Sequence, residues 1–207
     1  MAEYKSINGF TLQDVATDPT INTGQVWYNS ATRAIKLHAA TASGTWATGG
    51  ALGAARQKSG GAGTQTAGLI FAGNGPPLLA TSEEYDGSSW TGGGTMGTAR
   101  YAPTNTIGAS QTAALAVGGS NGVGDFNNTE EYDGTSWAGG GNYPISKQAM
   151  AGAGTQTAGL SCGGGGNVTT TNEYGGSSWT SGGALNVGRL TFAGCGTLTA
   201  GLVYGGT

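Results

Sequence analysis

Short alternating runs of apolar and polar residues set the pattern of this chain. In "GQVWYNSATRAIKLH" (Gly24–His38), Val26 and Tyr28 alternate with polar neighbours, and Ile35 and Leu37 do the same after "NSATR". Such alternation on both sides of a turn-forming segment predicts a β-hairpin. Nowhere do apolar residues recur at helical spacing over a useful length. The pattern therefore predicts an all-β protein.

The same pattern returns at a regular period along the chain. The four tryptophans that mark it lie 44, 47 and 42 residues apart, namely Trp46, Trp90, Trp137 and Trp179. A basic residue follows each of them by ten positions, namely Arg56, Arg100, Lys147 and Arg189. A near-identical segment follows each basic residue, such as "GAGTQTAGL" ending at Leu69. These coincidences predict four copies of one structural unit.

An octapeptide recurs three times, as "EEYDGSSW" (83–90), "EEYDGTSW" (130–137) and "NEYGGSSW" (172–179). Its Asp-Gly or Gly-Gly pair is typical of a tight corner between two strands. We interpret it as a structural joint whose aromatic residues pack between neighbouring units. The aromatic positions are Tyr85, Trp90, Tyr132, Trp137, Tyr174 and Trp179.

One unit divides into four predicted strands. In the second copy, "RYAPTNTIG" (Arg100–Gly108) is the first strand, and a turn at Ser110-Gln111 leads into the second, "TAALAVGG". A variable loop then leads to "TEEYDG" as the third strand, and the corner leads to "SSWAGG" as the fourth. A period of 40–50 residues with four strands per unit is typical of β-propeller blades.

The order of these features resembles the kelch repeat. The resemblance rests on Gly118-Gly119, Tyr132, Trp137 and Lys147, with counterparts in the other copies. It departs from the kelch pattern because fewer residues separate Tyr132 from Trp137 than kelch repeats have. The resemblance implies a kelch-like β-propeller.

The last copy ends after its second strand, at "GLVYGGT". We expect the N-terminal hairpin, followed by "SGTW" (43–46), to supply the missing strands, so that four blades close into a ring. The alternative is an open stack or intertwined fibre, a homo-oligomer in which neighbouring chains complete the fourth unit. The domain prediction is an N-terminal arm over residues 1–22 and a propeller domain over residues 23–207.

The whole chain, with its repeated "EEYDGSSW" and "GAGTQTAGL" blocks, resembles tail-fibre and other virion proteins of bacteriophages. This resemblance implies a structural component of a virion, such as a tail fibre or surface appendage. It further implies host attachment, synthesis in the host cytoplasm and docking of the N-terminal arm onto other virion proteins.

Composition narrows the function classes. Glycine accounts for 43 of 207 residues, only 9% are charged, and the net charge is −3. This favours closely packed β-structure over disorder, which usually needs a high net charge. Eight scattered basic residues and a pI near 4.9 argue against nucleic-acid binding. We also expect no membrane insertion, because the chain has no run of 18 apolar residues.

Residues suited to catalysis are few, so we expect no enzyme and no cofactor. His38 is the only histidine, which leaves one potential member of a Ser-His-Asp triad and too few metal ligands. Glu83-Glu84 and Glu130-Glu131 raise glycoside hydrolysis, but neighbouring strand residues point to opposite faces. Cys162 and Cys195 are expected to be two buried thiols.

Binding is the stronger alternative function. The loops after the diglycines differ in length and composition while the framework repeats, and variable loops on a fixed scaffold are a usual site of recognition. They predict a carbohydrate- or host-receptor-binding module on the particle surface. The candidate contacts are Pro76, Pro77, Leu78, Asp125, Phe126 and Asn127.

Overall fold

The computed structural model describes residues 13–20, 26–37, 48–104, 107–108 and 110–207. These residues form sixteen β-strands and no helix, which confirms the predicted all-β class. The chain divides into two units, residues 1–48 and 49–207. The predicted arm over residues 1–22 and propeller domain over residues 23–207 stay a prediction.

The first unit contains one three-stranded sheet. Its strands are β1 (Gln13–Val15), β2 (Val26–Asn29) and β3 (Ala34–Leu37), in the order β1-β2-β3. The β2–β3 pair is the hairpin that the sequence predicts, and β1 adds a parallel strand from the predicted N-terminal arm. Residues 1–12, which are most of that arm, lie outside the described residues, as do 21–25, His38 and "SGTW".

One carboxylate, that of Asp18, joins side chains of β2 and β3. Asp18 accepts hydrogen bonds from Trp27 Nε1 at 3.0 Å, Asn29 Nδ2 at 2.7 Å and Lys36 Nζ at 2.7 Å. The bond from Lys36 is the main reason why the pKa of Asp18 falls to about 2, and the bonds from Asn29 and Trp27 contribute to it.

The second unit is a series of antiparallel modules that follow the repeat. The first module has four strands, namely β4 (Gly60–Thr64), β5 (Ala67–Phe71), β6 (Thr81–Tyr85) and β7 (Trp90–Thr95). The second has three, namely β8 (Ala114–Val117), β9 (Thr129–Tyr132) and β10 (Trp137–Gly139). The third has four, namely β11 (Ala151–Thr155), β12 (Ala158–Cys162), β13 (Thr171–Tyr174) and β14 (Trp179–Ser181). The fourth is a hairpin of β15 (Ala193–Gly196) and β16 (Gly201–Tyr204).

The predicted first strand of the second module, Arg100–Gly108, is not a strand in its described residues, 100–104 and 107–108. In these residues, isolated backbone hydrogen bonds join it to β8, from Thr104 N to Val117 O at 2.8 Å and from Leu115 N to Ile107 O at 3.0 Å. Pro103 has no N–H to donate, which weakens a regular ladder at this point.

Successive modules lie side by side in chain order. Ala102 N donates to Lys58 O at 2.7 Å, Ala149 N to Ala102 O at 3.0 Å, and Thr191 N to Ala149 O at 3.2 Å. These four residues occupy the same position of the repeat, two residues after the basic residue. One hydrogen bond therefore recurs at each of the three boundaries between modules.

Each boundary has its own hydrophobic core. Phe71 and Leu69 of the first module pack with Tyr132 of the second. The second boundary joins Leu115 and Val117 to Met150 and Tyr174. Ala151 and Cys162 meet Phe192 at the third boundary. The apolar residues thus pack module against module, and four of the six aromatic repeat positions take part, namely Tyr132, Trp137, Tyr174 and Trp179.

The sheets of the described residues do not form a closed barrel or ring, and β15 and β16 form a sheet of two strands. Completion of a fourth blade by the N-terminal hairpin therefore stays a prediction.

Candidate functional site

The acidic corner of the octapeptide is closed by its own side chain. Asp86 Oδ1 accepts hydrogen bonds from Ser88 N at 2.8 Å and Ser89 N at 2.7 Å, and Oδ2 accepts one from Ser89 Oγ at 3.0 Å. Asp133 accepts the equivalent bonds from Thr135 and Ser136. These donors lower the pKa of both carboxyl groups, with the Ser89 and Ser136 N–H groups contributing most.

The tyrosine and tryptophan of each octapeptide face each other across the corner. Tyr85 pairs with Trp90 in the strand register, and the other two copies repeat this pair. The ring centroids lie 4.8–4.9 Å apart in all three pairs. The ring centroid of Trp137 also lies 5.0 Å from that of Phe71 in the preceding module. The aromatic repeat positions are therefore part of the framework.

Two of these tyrosines bond to the preceding module. Tyr132 Oη donates to Glu84 Oε1 at 2.5 Å, and Tyr174 Oη donates to Glu131 Oε1 at 2.5 Å. Burial, and then the bond to Glu131, raise the pKa of Tyr174 to about 12. In both "EEY" copies, the second glutamate thus accepts a hydrogen bond from the tyrosine of the next module.

The first glutamate of each pair has a different partner. Arg56 Nη2 contacts Glu83 Oε1 at 2.5 Å, and Arg100 Nη2 makes the equivalent ion pair with Glu130. Arg100 is fully buried, and its Nη1 also donates to Gly118 O at 3.0 Å. Burial lowers the pKa of Arg100, and Glu130 opposes that shift. In the first two modules, the repeated arginine and the first glutamate thus form a buried ion pair inside one module, which we call the clamp.

The third module changes both members of the clamp together. Lys147 replaces the arginine and donates to Thr170 Oγ1 at 2.6 Å, while Asn172 replaces the glutamate and donates to Tyr143 Oη at 2.8 Å. Lysine keeps the positive charge of arginine, while asparagine removes the negative charge of glutamate. The buried Lys147 ammonium therefore bonds to a hydroxyl group in place of a carboxylate, and burial lowers the pKa of Lys147.

Neighbouring glutamates therefore serve separate structural bonds on opposite faces of one strand. Glu130 faces Arg100 of its own module, and Glu131 faces Tyr174 of the next. The two carboxylates therefore do not face each other across a space that a substrate bond could occupy. Among the described residues, no three His, Cys, Asp or Glu side chains form a cluster suited to a metal ion.

Glycines allow one module's chain to pass over the next module's corner. A Cβ on Gly94 would lie 2.5 Å from Thr135 O, and one on Gly141 would lie 2.2 Å from Ser177 O. Gly50 stands in the same relation to Ser88, with 2.6 Å to its carbonyl oxygen. The chain therefore crosses a corner at three equivalent places. Gly94 crosses the corner of the second module and Gly141 that of the third, while Gly50, before the first module, crosses the corner of the first.

The predicted loop contacts lie in two separate segments. Pro76 and Pro77 are exposed, and Leu78 is half-buried. Asp125, Phe126 and Asn127 are half-buried. In the described residues no hydrogen bond joins these two loops.

The second of these loops is tied to the segment that leads into the third module. Lys147 N donates to Phe126 O at 3.0 Å, and Tyr143 N donates to Asn127 O at 2.7 Å. Phe126 and Asn127 therefore have a framework role through their backbones.

A cavity of about 390 Å³ lies where the four modules meet. Its lining residues are Lys58, Ser59, Ala102, Gln148, Ala149, Gly165, Leu190, Thr191 and Phe192. None of the six predicted loop residues lines it, although Asp125 Oδ2 lies 3.7 Å from the position of a Cβ on Gly165. Sequence reasoning missed this site because its residues come from five separate segments spread over residues 58–192.

The two cysteines differ from the expectation of two buried thiols. Cys162 is buried, and burial raises its pKa to about 11. Cys195 is exposed, because it lies on the hairpin of the last module. Both are free thiols.

The fold and its contacts define a repetitive β-protein whose modules interlock through recurring side-chain bonds. No protein-family model matches the chain, and no curated protein matches it. No helix of the described structure is long and apolar enough to cross a membrane.

Proposed function

We propose that this chain is a structural component of a bacteriophage virion, in the class of tail-fibre or surface appendage proteins. The observation that carries the proposal is the use of the repeated polar residues. Glu84, Glu130, Arg100 and Tyr174 all bond within or between modules. A chain whose repeated residues serve its own framework has the character of a building element. The resemblance of its repeated sequences to those of phage tail-fibre proteins supports a place in the virion.

The finer architecture belongs to the same proposal. We infer a kelch-like β-propeller of four blades, in which the N-terminal hairpin region completes the fourth. The crossing of Gly50 over the first module's corner supports this inference, because that place belongs to the last strand of a preceding blade. The two-stranded β15–β16 sheet is the blade that lacks outer strands.

Docking onto the particle is assigned to the N-terminal arm, residues 1–22. The proposed location is the virion, after synthesis in the host cytoplasm, with other virion proteins as partners. A carbohydrate- or host-receptor-binding module is the second candidate function, because the modules surround a cavity of about 390 Å³ that has polar side chains in its wall. That volume lies within the usual range of ligand pockets.

The test is incorporation into particles. Particles from an induced source culture are purified on a density gradient, and an antibody against the chain is used to probe the fractions and, with gold label, the particles. We expect the chain to band with the particles and the label to lie on the tail or its appendages. A chain that stays in the soluble fraction at the top of the gradient contradicts the virion proposal.

A truncation tests the role of the arm. Removal of residues 1–12 leaves β1 and the Asp18 contacts in place. We expect this variant to fold but to be lost from particles when it replaces the full chain. Full incorporation of the truncated chain would assign the docking surface elsewhere.

A further inference from the structure

The wall of the cavity includes one backbone position that recurs in all four modules and carries three kinds of side chain. Two residues after the basic residue, the modules carry Lys58, Ala102, Ala149 and Thr191. All four have left-handed backbones, with φ of 53°, 47°, 56° and 54°. The scaffold is the same in each module, while the chemistry that it presents differs.

This backbone conformation is costly for residues other than glycine, and most of all for a β-branched residue such as Thr191. The chain is rich in glycine, yet it places side chains at all four positions. The hydrogen bonds between modules that join Lys58, Ala102, Ala149 and Thr191 hold the strained positions in one rigid rim. Such retained strain is typical of sites where side chains must point at a ligand.

The polar groups of the wall are not used by the fold. In the part of the chain that the structure describes, Lys58 has no carboxylate partner, and the side chains of Ser59, Gln148 and Thr191 make no hydrogen bond. The glutamines of the turns behave differently, since Gln156 Nε2 donates to both Ala114 O and Tyr132 O. Gln111 Nε2 likewise donates to Gly68 O and Tyr85 O, so the amide of Gln148 is available where those of Gln111 and Gln156 are occupied.

Among the residues that line the cavity, Lys58 is the one that carries a charge. The Lys58 ammonium lies 5.2 Å from the centroid of the Tyr101 ring, which positions it while leaving its N–H groups free to donate. Asp125 does not line the cavity, but its Oδ2 lies 3.7 Å from the position of a Cβ on the lining residue Gly165. Leu190 and Phe192 supply the apolar part of the wall.

We propose that this cavity binds a small anionic sugar of the uronic-acid type, with one carboxylate and several hydroxyl groups. Lys58 pairs with the carboxylate, and Gln148, Ser59 and Thr191 bond to the hydroxyl groups. Leu190 and Phe192 contact the C–H face of the ring. The assignment specifies the ligand of the second candidate function, and it does not depend on the virion proposal.

The first experiment measures binding of methyl-α-galacturonoside to the full-length chain by calorimetry and ligand-observed NMR. We expect a Kd of about 1 mM or tighter for a ligand of this size. Lys58→Asn should weaken binding about tenfold or more, because it removes a charge-assisted hydrogen bond. Asparagine tolerates the left-handed backbone, so the variant keeps the local conformation.

The chain offers a matched control. Arg33 also has a left-handed backbone, with φ of 54°, and Arg33→Asn removes the same charge from a residue that does not line the cavity. This variant should bind as the wild type does. Equal weakening by both variants would assign the effect to net charge and overturn the site.

The second experiment compares ligands. Methyl galactoside tests the need for the carboxylate, and hexanoate tests the need for the hydroxyl groups. Three outcomes overturn the proposal. They are an affinity for methyl galactoside equal to that for the uronoside, tighter binding of hexanoate than of the uronoside, and no binding of the uronoside at 20 times the expected Kd, about 20 mM. A polyuronide chain and the free monosaccharide are compared in parallel, so that a polymer-bound source is distinguished from a free sugar acid.

Particle incorporation separates the two proposals. Lys58→Asn should still band with the particles, while its sugar binding falls. Loss of the chain from particles with sugar binding intact would contradict the virion role alone.

Discussion

At the scale of single residues, aspartates are the turn formers of this protein. Asp86 and Asp133 close the octapeptide corners, and Asp18 joins three side chains of the N-terminal sheet. In the third copy Gly175 takes the place of the aspartate, and the corner keeps the same Gly175 N to Ser178 O bond at 3.1 Å. The carboxylate therefore reinforces a turn that the glycines already permit.

The Asp18 contacts predict acid sensitivity of the first sheet. The folded-state pKa of about 2 lies below the usual aspartate value near 3.9, so the stabilisation is complete above pH 4 and is lost as the pH falls towards 2. Titration of the carboxyl carbons by NMR should show Asp18 titrating near pH 2. Lys36→Gln should raise this pKa, since the Lys36 bond contributes most to the shift. A wild-type midpoint near 3.9 would contradict the bonding.

The two thiols should differ in reactivity. At pH 8 a disulfide reagent such as DTNB should label one thiol of the native chain quickly, because Cys195 is exposed, while Cys162 is buried with a pKa of about 11. The second thiol should react only after unfolding in denaturant. Cys195→Ser should leave the native chain unlabelled, and rapid labelling of that variant would place Cys162 at the surface.

At the scale of elements, one strand of each of the first two modules, β6 or β9, bonds both to its own module and to the next one. The third strand carries two adjacent glutamates, of which one holds an arginine of the same module and the other holds a tyrosine of the next. This division explains why the octapeptide repeats so closely, since each copy must fit both its own module and a neighbour.

The tyrosine bonds can be tested with an internal control. Tyr132→Phe and Tyr174→Phe each remove a hydrogen bond to a carboxylate, so each should lower the free energy of unfolding by about 1.5–3 kcal/mol. Tyr85→Phe should change it by less than about 0.5 kcal/mol, since Tyr85 has no carboxylate partner among the described residues. Urea unfolding measures all three. An equal loss for Tyr85→Phe would mean that the carboxylates contribute little.

The buried clamp predicts strong coupling. Glu130→Ala leaves the fully buried Arg100 without its counter-ion and should cost about 3–5 kcal/mol. In a double-mutant cycle with Arg100→Met, the double variant should cost at least about 1 kcal/mol less than the sum of the single variants. Additive losses would show that the two charges act independently.

At the scale of the whole molecule, the fourth module differs from the other three in its number of strands. The fourth module has two strands, and Gly183, which follows the third module's corner, has no atom near its Cβ position in the described residues. Gly94 and Gly141, at the same place in the first two modules, each cross a neighbouring corner. The proposal that residues 1–48 complete the fourth blade rests on this difference.

Truncation tests that proposal. Residues 49–207 should fold by themselves, since every boundary core lies within them. If the N-terminal unit completes the ring, the full chain should unfold in one transition, at a Tm several degrees above that of the fragment. Two separate transitions, with the second at the Tm of the fragment, would contradict ring closure.

The sequence by itself determined the all-β class, the N-terminal hairpin, the period of the modules and the place of each corner. These features depend on neighbours along the chain, such as the alternation around Val26 and Tyr28 or the Asp-Gly pair at Asp86, and local backbone preference encodes them. It also marked Arg56 and Arg100 as a repeated feature without revealing their partners.

Only the tertiary structure decided which partner each repeated residue takes. Glu83 and Glu84 are adjacent in sequence, yet one meets Arg56 and the other meets Tyr132. The cavity likewise joins Lys58 to Thr191, which hold the same position of the repeat but lie far apart along the chain. Side chains from distant segments converge because whole sheets pack against each other through their apolar faces, and short stretches of sequence do not specify that packing.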